Sequence, residues 1–349
     1  MTVNSRPPRM TDVARLAGVS QQSVSRVLNG HPHISADVKE RVEEAIRALG
    51  YRRNTAARAL ATRRTLKLGV VSVGMAQYGP AQMLHGIAEA AQENDYGVTL
   101  VSLGRIDRQS MRRGFDDLTA SSVDGIIVMA PVEAAAAAAA GVIASVPVVM
   151  FEPGIDDGGM VIAHDETLAA RLAVRHLIEL GHQTVHHLGG PPGWLGADAR
   201  IEGWRQELAA AKRVAHPLQR GDWSADSGYR VGLELLADAD VTAVFTANDQ
   251  MALGLLKAAD KLGVQVPKEV SVVGFDDIPE ARHFRPALTT VRLDFFELGR
   301  QCVFRLLQLI SGGQGNSALV EQPVLVPRES SAAPPRRRRP NRVLASRQP

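Results

Sequence analysis

The 349-residue sequence predicts two architectures in series: a small all-α head, then a larger α/β core built on parallel sheets. Three observations predict this. The first sixty residues hold three short runs with apolar residues at helical spacing, punctuated by Ser, Thr and Gly. From Leu66 onward, short β-branched runs alternate with amphipathic helical stretches, the pattern of strands covered on both faces. The charge also changes sign along the chain. Residues 1–60 carry ten Lys/Arg against five Asp/Glu and residues 334–349 carry six Arg and no acid, so the net charge of +3 leaves −8 on the stretch between them. A basic head on an acidic body points the head toward a polyanion.

In the head, Thr11 is placed to cap a helix from Asp12 to Ala17, with Asp12 against the positive end of the helix dipole. Gly18 permits a sharp turn and Ser20 caps the second helix. Ala14 is small enough for that helix to cross closely over the first, with Val24, Val27 and Leu28 as the apolar side of the crossing. Ser35 caps a third helix, where Val38, Val42, Ala45, Ile46 and Leu49 form a stripe that Gly50 ends. Three short helices around one small core, the first two joined by a tight turn, make a helix-turn-helix.

The wet face of the second helix carries Gln21, Gln22, Ser25, Arg26 and Asn29, with no acid. A helix exposed only for solubility mixes Lys with Glu. Amides and arginine instead match adenine N6/N7 and guanine O6/N7 in the major groove, where a carboxylate would repel phosphate. The head therefore reads as a sequence-specific binder of double-stranded DNA. "TDVARLAGVSQQSVSRVLNG" followed by "ISADVKERVEEAIRALGY" resembles the DNA-binding head of the LacI/GalR family of transcriptional regulators. That resemblance implies that Gln21, Gln22 and Arg26 face bases. It places Ser20, Ser25, Asn29 and His33 at phosphates or in positioning the helix, and Thr11 among the DNA-contacting positions.

In "YRRNTAARALATRRT", residues 51–65, Asn54 can cap a short helix running through Ala57 and Leu60. The family's matching segment is a hinge helix that pairs with its dimer mate in the minor groove. Leu60 matches the leucine wedged between base pairs, at an unstacking cost of a few kcal/mol per step. Small Ala57 lets two hinges approach. Arg53 stands where the family commonly has proline, a departure that weakens the pre-set approach to the helix.

The core's expected strands are "LKLGVVSV", "GVTLVSL", "GIIVMA", "PVVMF", "TVHHLGG", "VTAVFTA" and "VSVVGF", separated by helical stretches such as 81–93, 168–180, 199–211 and 249–262. Ligands of such folds sit outside the carboxyl ends of the strands. There the chain places Asn248, Asp249, Asp276 and Asp277, a polar set suited to a hydroxyl-rich ligand. "GDWSADSG" at 221–228, "ANDQMALG" at 247–254, "SVVGFDD" at 271–277 and "LTTVRLDFFELG" at 288–299 resemble the same family's core, two-lobed and periplasmic-binding-protein-like. By position, Arg200, Asn248 and Asp276 match residues that hydrogen-bond sugar hydroxyls. Trp223 and Phe295 match aromatic walls, and Glu152 an acid at the lobe interface. Against lac-type members, Leu293 replaces a polar pocket residue, Met129 an amide and Val73 a hydroxyl, while Gln77, Tyr78 and His164 also differ.

Other motifs are discounted. "GGPPGW" at 189–194 lacks the Lys-Ser/Thr of a phosphate loop and reads as a strand-to-helix turn. His182, His186 and His187 cannot share a metal readily, because adjacent strand residues face opposite ways. Residues 134–140 are alanine filler, and lone Cys302 reads as a core thiol in a reducing compartment. No secretory apolar segment or membrane-length apolar run is seen.

The expected organisation is a head at 1–52, a hinge at 53–65, a two-lobed core at 66–330, and a basic disordered tail at 331–349 that could add non-specific DNA affinity. The expected protein is a cytoplasmic homodimeric repressor of carbohydrate-utilisation genes on a near-palindromic operator. A mono- or disaccharide would release it, with no cofactor, metal or catalytic residue. The alternatives are a corepressor-dependent repressor, a sugar-binding transport protein, which the missing signal peptide and the head oppose, and a DNA-binding sugar kinase, for which no nucleotide site is present.

Overall fold

The computed structural model describes residues 8–28, 31, 33–51, 64–73, 75–104, 107–129, 146–151, 161–162, 164–313 and 322–335. The chain forms two compact units, Met1–Thr65 and Leu66–Pro349.

The first unit is a three-helix cluster: α1 (Met10–Ala17), α2 (Gln21–Leu28) and α3 (Ala36–Leu49). Its core joins Val13, Ala14 and Ala17 of α1 to Val24 of α2, Val42 and Ala45 of α3, and Tyr51. Gly18 ends α1 in the left-handed region at φ +64°, which turns the chain into α2. Ser20 Oγ accepts from the Ser23 amide at 3.1 Å, and Ser35 Oγ accepts from the Val38 amide at 3.4 Å, so both serine caps stand. The Thr11 cap does not. The helix begins at Met10 and Thr11 lies inside its first turn, because Asp12 reaches back to accept the Arg9 amide at 2.8 Å and so fixes the start two residues earlier.

The second unit contains two sheets. The first has five parallel strands in the order β2-β1-β3-β4-β5, with β1 Lys67–Val73, β2 Gly97–Leu103, β3 Gly125–Met129, β4 Val148–Phe151 and β5 Val161–Ile162. The second is ordered β11-β10-β9-β8-β6-β7, with β6 His186–Gly189, β7 Gln219–Arg220, β8 Ala243–Thr246, β9 Ser271–Asp276, β10 Thr289–Arg292 and β11 Val324–Val326. Only the β10–β11 pair is antiparallel. Three of the four expected helices begin two to four residues early, at Tyr78, Glu166 and Leu195, and the fourth is Asp249–Leu262 as expected. For the one at Glu166, Asp165 supplies the cap by accepting from the Leu168 amide at 2.7 Å.

Helix Phe295–Ile310 follows β10 of the second sheet in sequence but packs on helix Tyr78–Glu93 of the first lobe. The two backbones meet at glycines: a Cβ on Gly86 would lie 2.0 Å from the Phe296 carbonyl oxygen, and one on Gly299 would lie 2.1 Å from that of Met83. This crossing brings Phe295 to the space between the lobes. The second lobe runs past the expected boundary at 330. The Ala332 amide donates to Ser271 Oγ at 3.0 Å, and the Ala332 carbonyl accepts from the His182 ring at 3.0 Å, so Ser331 and Ala332 belong to the lobe and not to a tail. The rest of the tail from 336, residue 52, hinge positions 53–63 and the alanine run 134–140 lie outside the described residues. Among the described residues, no helix is long and apolar enough to cross a membrane.

Candidate functional site

The head presents one polar face. Gln21, Gln22 and Arg26 are exposed on α2, and Ser25 is half-buried. Thr11, Ser20 and His33 are also exposed in the same unit, the His33 ring lying 6.0 Å from that of His31. Val24, on the opposite side of α2, is fully buried. The helix is thus held by its apolar side while its amides and guanidinium stay in water. Asn29, Asn54, Ala57 and Leu60 lie outside the described residues.

The second unit holds a cleft between its lobes, at the carboxyl ends of its strands. Counting the solvent at its open mouth, it spans about 520 Å³. Arg200, Trp223, Asn248, Asp276 and Phe295 all line it, although they come from five separate segments. Glu152 lies outside the described residues; its neighbour Phe151 lines the cleft.

The polar groups of the cleft are buried and partly bonded to one another. Arg200 Nε donates to Glu166 Oε2 at 2.7 Å, and its Nη1 donates to the Ala247 carbonyl. Its guanidinium carbon lies 3.9 Å from the Phe275 ring centroid and 5.4 Å from that of Trp223. Asp276 Oδ1 is 3.7 Å from Arg200 Nη2, an ion pair too long for a hydrogen bond. Burial pushes the Asp276 carboxyl up to about 7 against the pull of Arg200, and the Glu166 charge adds to the rise. Asn248 caps helix Asp249–Leu262 by accepting from the Met251 amide at 2.9 Å, and its Nδ2 donates to the Trp223 carbonyl at 3.0 Å. Its amide is therefore largely committed to holding the cleft in shape.

The backbone is strained here. Trp223 sits at φ +74° and Asp276 at φ +103°, conformations that cost about 1–3 kcal/mol each in a non-glycine residue and collect at ligand sites. The Trp223 ring lies so close to the main chain that a Cβ on Gly190 would fall 2.3 Å from it. Three buried side-chain atoms lining the cleft have no hydrogen-bond partner: Asp276 Oδ1, Gln77 Oε1 and Trp223 Nε1. Buried polar atoms are nearly always satisfied in proteins, so these three mark where a polar ligand would bind.

Two members of the expected polar set do other work. Asp249 is buried in the lobe, where its carboxylate accepts from Thr290 Oγ1 at 2.7 Å and from the Ile278 amide at 2.9 Å. Asp277 is clamped by Arg292 and Arg328. Leu293 lies in a neighbouring hollow with Tyr78, on the far side of Asp276 and Phe295. Met129 and Val73 pack in the core of the first lobe, and His164 meets the Phe295 ring edge-on at 5.5 Å. Sequence reasoning missed Glu166 and Trp194. The first lay just before the expected helix at 168–180, and the second in the expected strand-to-helix turn. The histidine pair divides as the strand period requires, with His186 stacked on His216 and His187 on Phe245. Burial pushes His187 down to about 3.

The comparisons with known proteins agree with this geometry. Residues 9–54 match the bacterial regulatory proteins of the lacI family, and residues 174–331 match a periplasmic binding protein-like domain. The chain is 35% identical over 347 residues to the lactose operon repressor of Escherichia coli strain K12, covering 97% of this chain and 95% of that protein. It is similar to a lac repressor dimer bound to operator and the anti-inducer ONPF, with TM-score 0.85 and 34% identity over 94% of this chain and 100% of the other. It is also similar to the regulator CelR in complex with cellobiose, with TM-score 0.68 and 30% identity over 93% and 100% of the two chains.

Proposed function

The chain belongs to the lacI family of bacterial regulatory proteins, and from that premise we propose that it represses genes of carbohydrate use and leaves its operator when a sugar fills the cleft. As a family member it is a DNA-binding transcriptional repressor and not an enzyme. Carried over from the relatives, the partners are a second copy of the chain, a near-palindromic duplex and a mono- or disaccharide, meeting in the cytoplasm. Gln21, Gln22 and Arg26 read bases. Thr11, Ser20, Ser25, Asn29 and His33 hold the backbone, and Asn54, Ala57 and Leu60 form the hinge in the minor groove. Arg200, Asn248 and Asp276 bind sugar hydroxyls between the Trp223 and Phe295 walls, with Glu152 at the lobe interface.

The observation that carries the reading is the cleft's set of buried, unpartnered polar atoms between aromatic rings, since a sugar presents hydroxyls on its rim and C–H groups on its faces. A sugar bound between the lobes favours one lobe arrangement over the other. To move operator occupancy from 99:1 to 1:99 it needs about 5.5 kcal/mol of preference between the two states.

The test begins with selection of the preferred duplex from a random library by the full-length protein. A panel of mono- and disaccharides is then titrated, following tryptophan emission and duplex retention together. The expected result is a sugar that changes the emission and releases the duplex. A sugar that tightens the duplex instead marks a corepressor. Emission changes without any effect on DNA would sink the regulatory link.

A further inference from the structure

The charges inside the cleft do not balance. One guanidinium, Arg200, meets two carboxylates, Glu166 and Asp276, and no other charged side chain lines the cleft among the described residues. Glu166 holds the guanidinium directly at 2.7 Å. Packing on Phe275 and the bond to the Ala247 carbonyl pin the same group on its other sides. Asp276 is left with the long 3.7 Å contact and with Oδ1 buried and unbonded. An ionised carboxylate taken out of water is costly unless a cation and hydrogen bonds compensate it. The high proton affinity of Asp276 records the same shortfall.

The orphaned atoms lean the same way. Asp276 Oδ1 and Gln77 Oε1 are acceptors, and Trp223 Nε1 is a donor. At Asp276 the complementary ligand therefore brings a donor. An ammonium group has three donors and no acceptor. The aromatic walls suit it as well: Trp194 and Trp223 meet edge to face at 6.0 Å beside Phe151 and Phe295. Ring faces of this kind attract a desolvated cation as readily as they cover the C–H face of a sugar. A neutral sugar could donate a hydroxyl to Oδ1, but it would supply no countercharge to the ionised form of Asp276.

We propose that the effector is an amine-bearing sugar whose ammonium pairs with Asp276 while its ring lies against the aromatic walls. This rests on the reading of the cleft as the sugar site and names the class of sugar. Binding joins the one uncompensated carboxylate to a cation, and the excess acid becomes the source of selectivity over neutral sugars. Glu166, by occupying Arg200, is the residue that makes Asp276 available to a ligand cation.

The experiment uses the full-length protein at about pH 6.5, below the ordinary amine range of about 7.7–8.0. Calorimetry and tryptophan emission compare D-glucose, D-glucosamine and N-acetyl-D-glucosamine, the same three forms of galactose, and cellobiose against the glucosamine dimer. Within each set that binds, the amine is expected to bind about tenfold tighter than its neutral parent, the gain from replacing a neutral hydrogen bond with a charge-assisted one. Acetylation removes the gain, and Glu166→Gln narrows it. The wild-type sets decide the matter even if that variant does not fold. A neutral sugar that binds as well as its amine overturns the amine proposal and leaves the sugar reading standing. Silence from every sugar overturns both.

Discussion

In the head, Gln21, Gln22 and Arg26 stand in water with their hydrogen-bonding groups uncommitted to any described residue, whereas in the core Arg200 and Asn248 are buried and already bonded to the protein, and Asp276 is buried 3.7 Å from Arg200. The head can afford this because its fold rests on a separate set of side chains, the small cluster around Val13, Val24 and Val42. The groups that read bases only exchange water for DNA, and their loss leaves the helices intact. In the cleft the same atoms that would meet a ligand also neutralise one another and cap a helix. Recognition and stability are therefore separable in the first unit and coupled in the second.

The largest test of that contrast is Arg200→Ala. It leaves Glu166 and Asp276 buried together without their cation, and breaking a buried pair this way costs about 3–5 kcal/mol. Urea unfolding of the core, followed by the emission of buried Trp204, should show that loss. A shift of less than about 1 kcal/mol would mean that the guanidinium is not part of the lobe's stability, and the contrast with the head would fail.

The pH dependence of Asp276 sharpens the same point. Its folded value of about 7 lies above the ordinary 3.8, so protonation favours the folded state. That stabilisation is fully present below about pH 4 and is lost as pH rises through about 7, with a slope of up to about 1.4 kcal/mol per pH unit in between. Asp276→Asn carries no such charge. Relative to wild type, its urea stability should improve from about pH 5 to about pH 7 and level off above that. A gap that stays constant over this range would show that the carboxylate keeps its charge at no cost in the cleft.

How far each unit could be read beforehand follows from the same difference. The head was legible because its signals are local: a serine before each of α2 and α3, glycines at 18 and 50, and an apolar stripe between them. The Thr11 cap went astray because Asp12 competes for the same turn. In the core, Asp276 and Asn248 were visible as polar residues after apolar strands. β5 and β7, each two residues long, carry too little periodicity to stand out, and antiparallel β11 has no crossover helix to announce it. Glu166 was invisible because its partner Arg200 is 34 residues away in sequence and only the packing of two helices joins them. The positive φ values at Trp223 and Asp276 have no sequence signature, since neither residue is glycine.

Arg26→Ala probes the head alone. The side chain is exposed on α2 and supports no described contact, so the thermal unfolding of both units should be unchanged. Affinity for the selected duplex should fall by about 1–3 kcal/mol and preference at one base position should relax. Competition binding against random duplex separates the roles. An equal loss on both DNAs would make Arg26 a phosphate contact, and a loss of stability would end the separation of recognition from folding in the head.

The smallest expected effect is at Ser20, a residue of the head where the two roles overlap. Its Oγ accepts from the Ser23 amide at 3.1 Å and lies 3.0 Å from Ser23 Oγ, so it caps α2 while belonging to the set proposed to touch phosphate. Ser20→Ala removes the cap, at a typical cost of about 1 kcal/mol. Hydrogen exchange at the first amides of α2 should speed up by a corresponding factor of about 5 at 25 °C. Ser20→Thr retains a hydroxyl at the cap and should restore most of that protection. Affinity for duplex should follow the exchange rates through the series, and the slope of log affinity against log salt should not change, because a hydroxyl displaces no counterion. If the alanine variant exchanges like wild type yet still loses affinity, Ser20 acts on DNA directly and the cap is incidental. If threonine restores protection without restoring affinity, the shape of the hydroxyl at the phosphate decides, and the overlap of roles at this position resolves in favour of recognition.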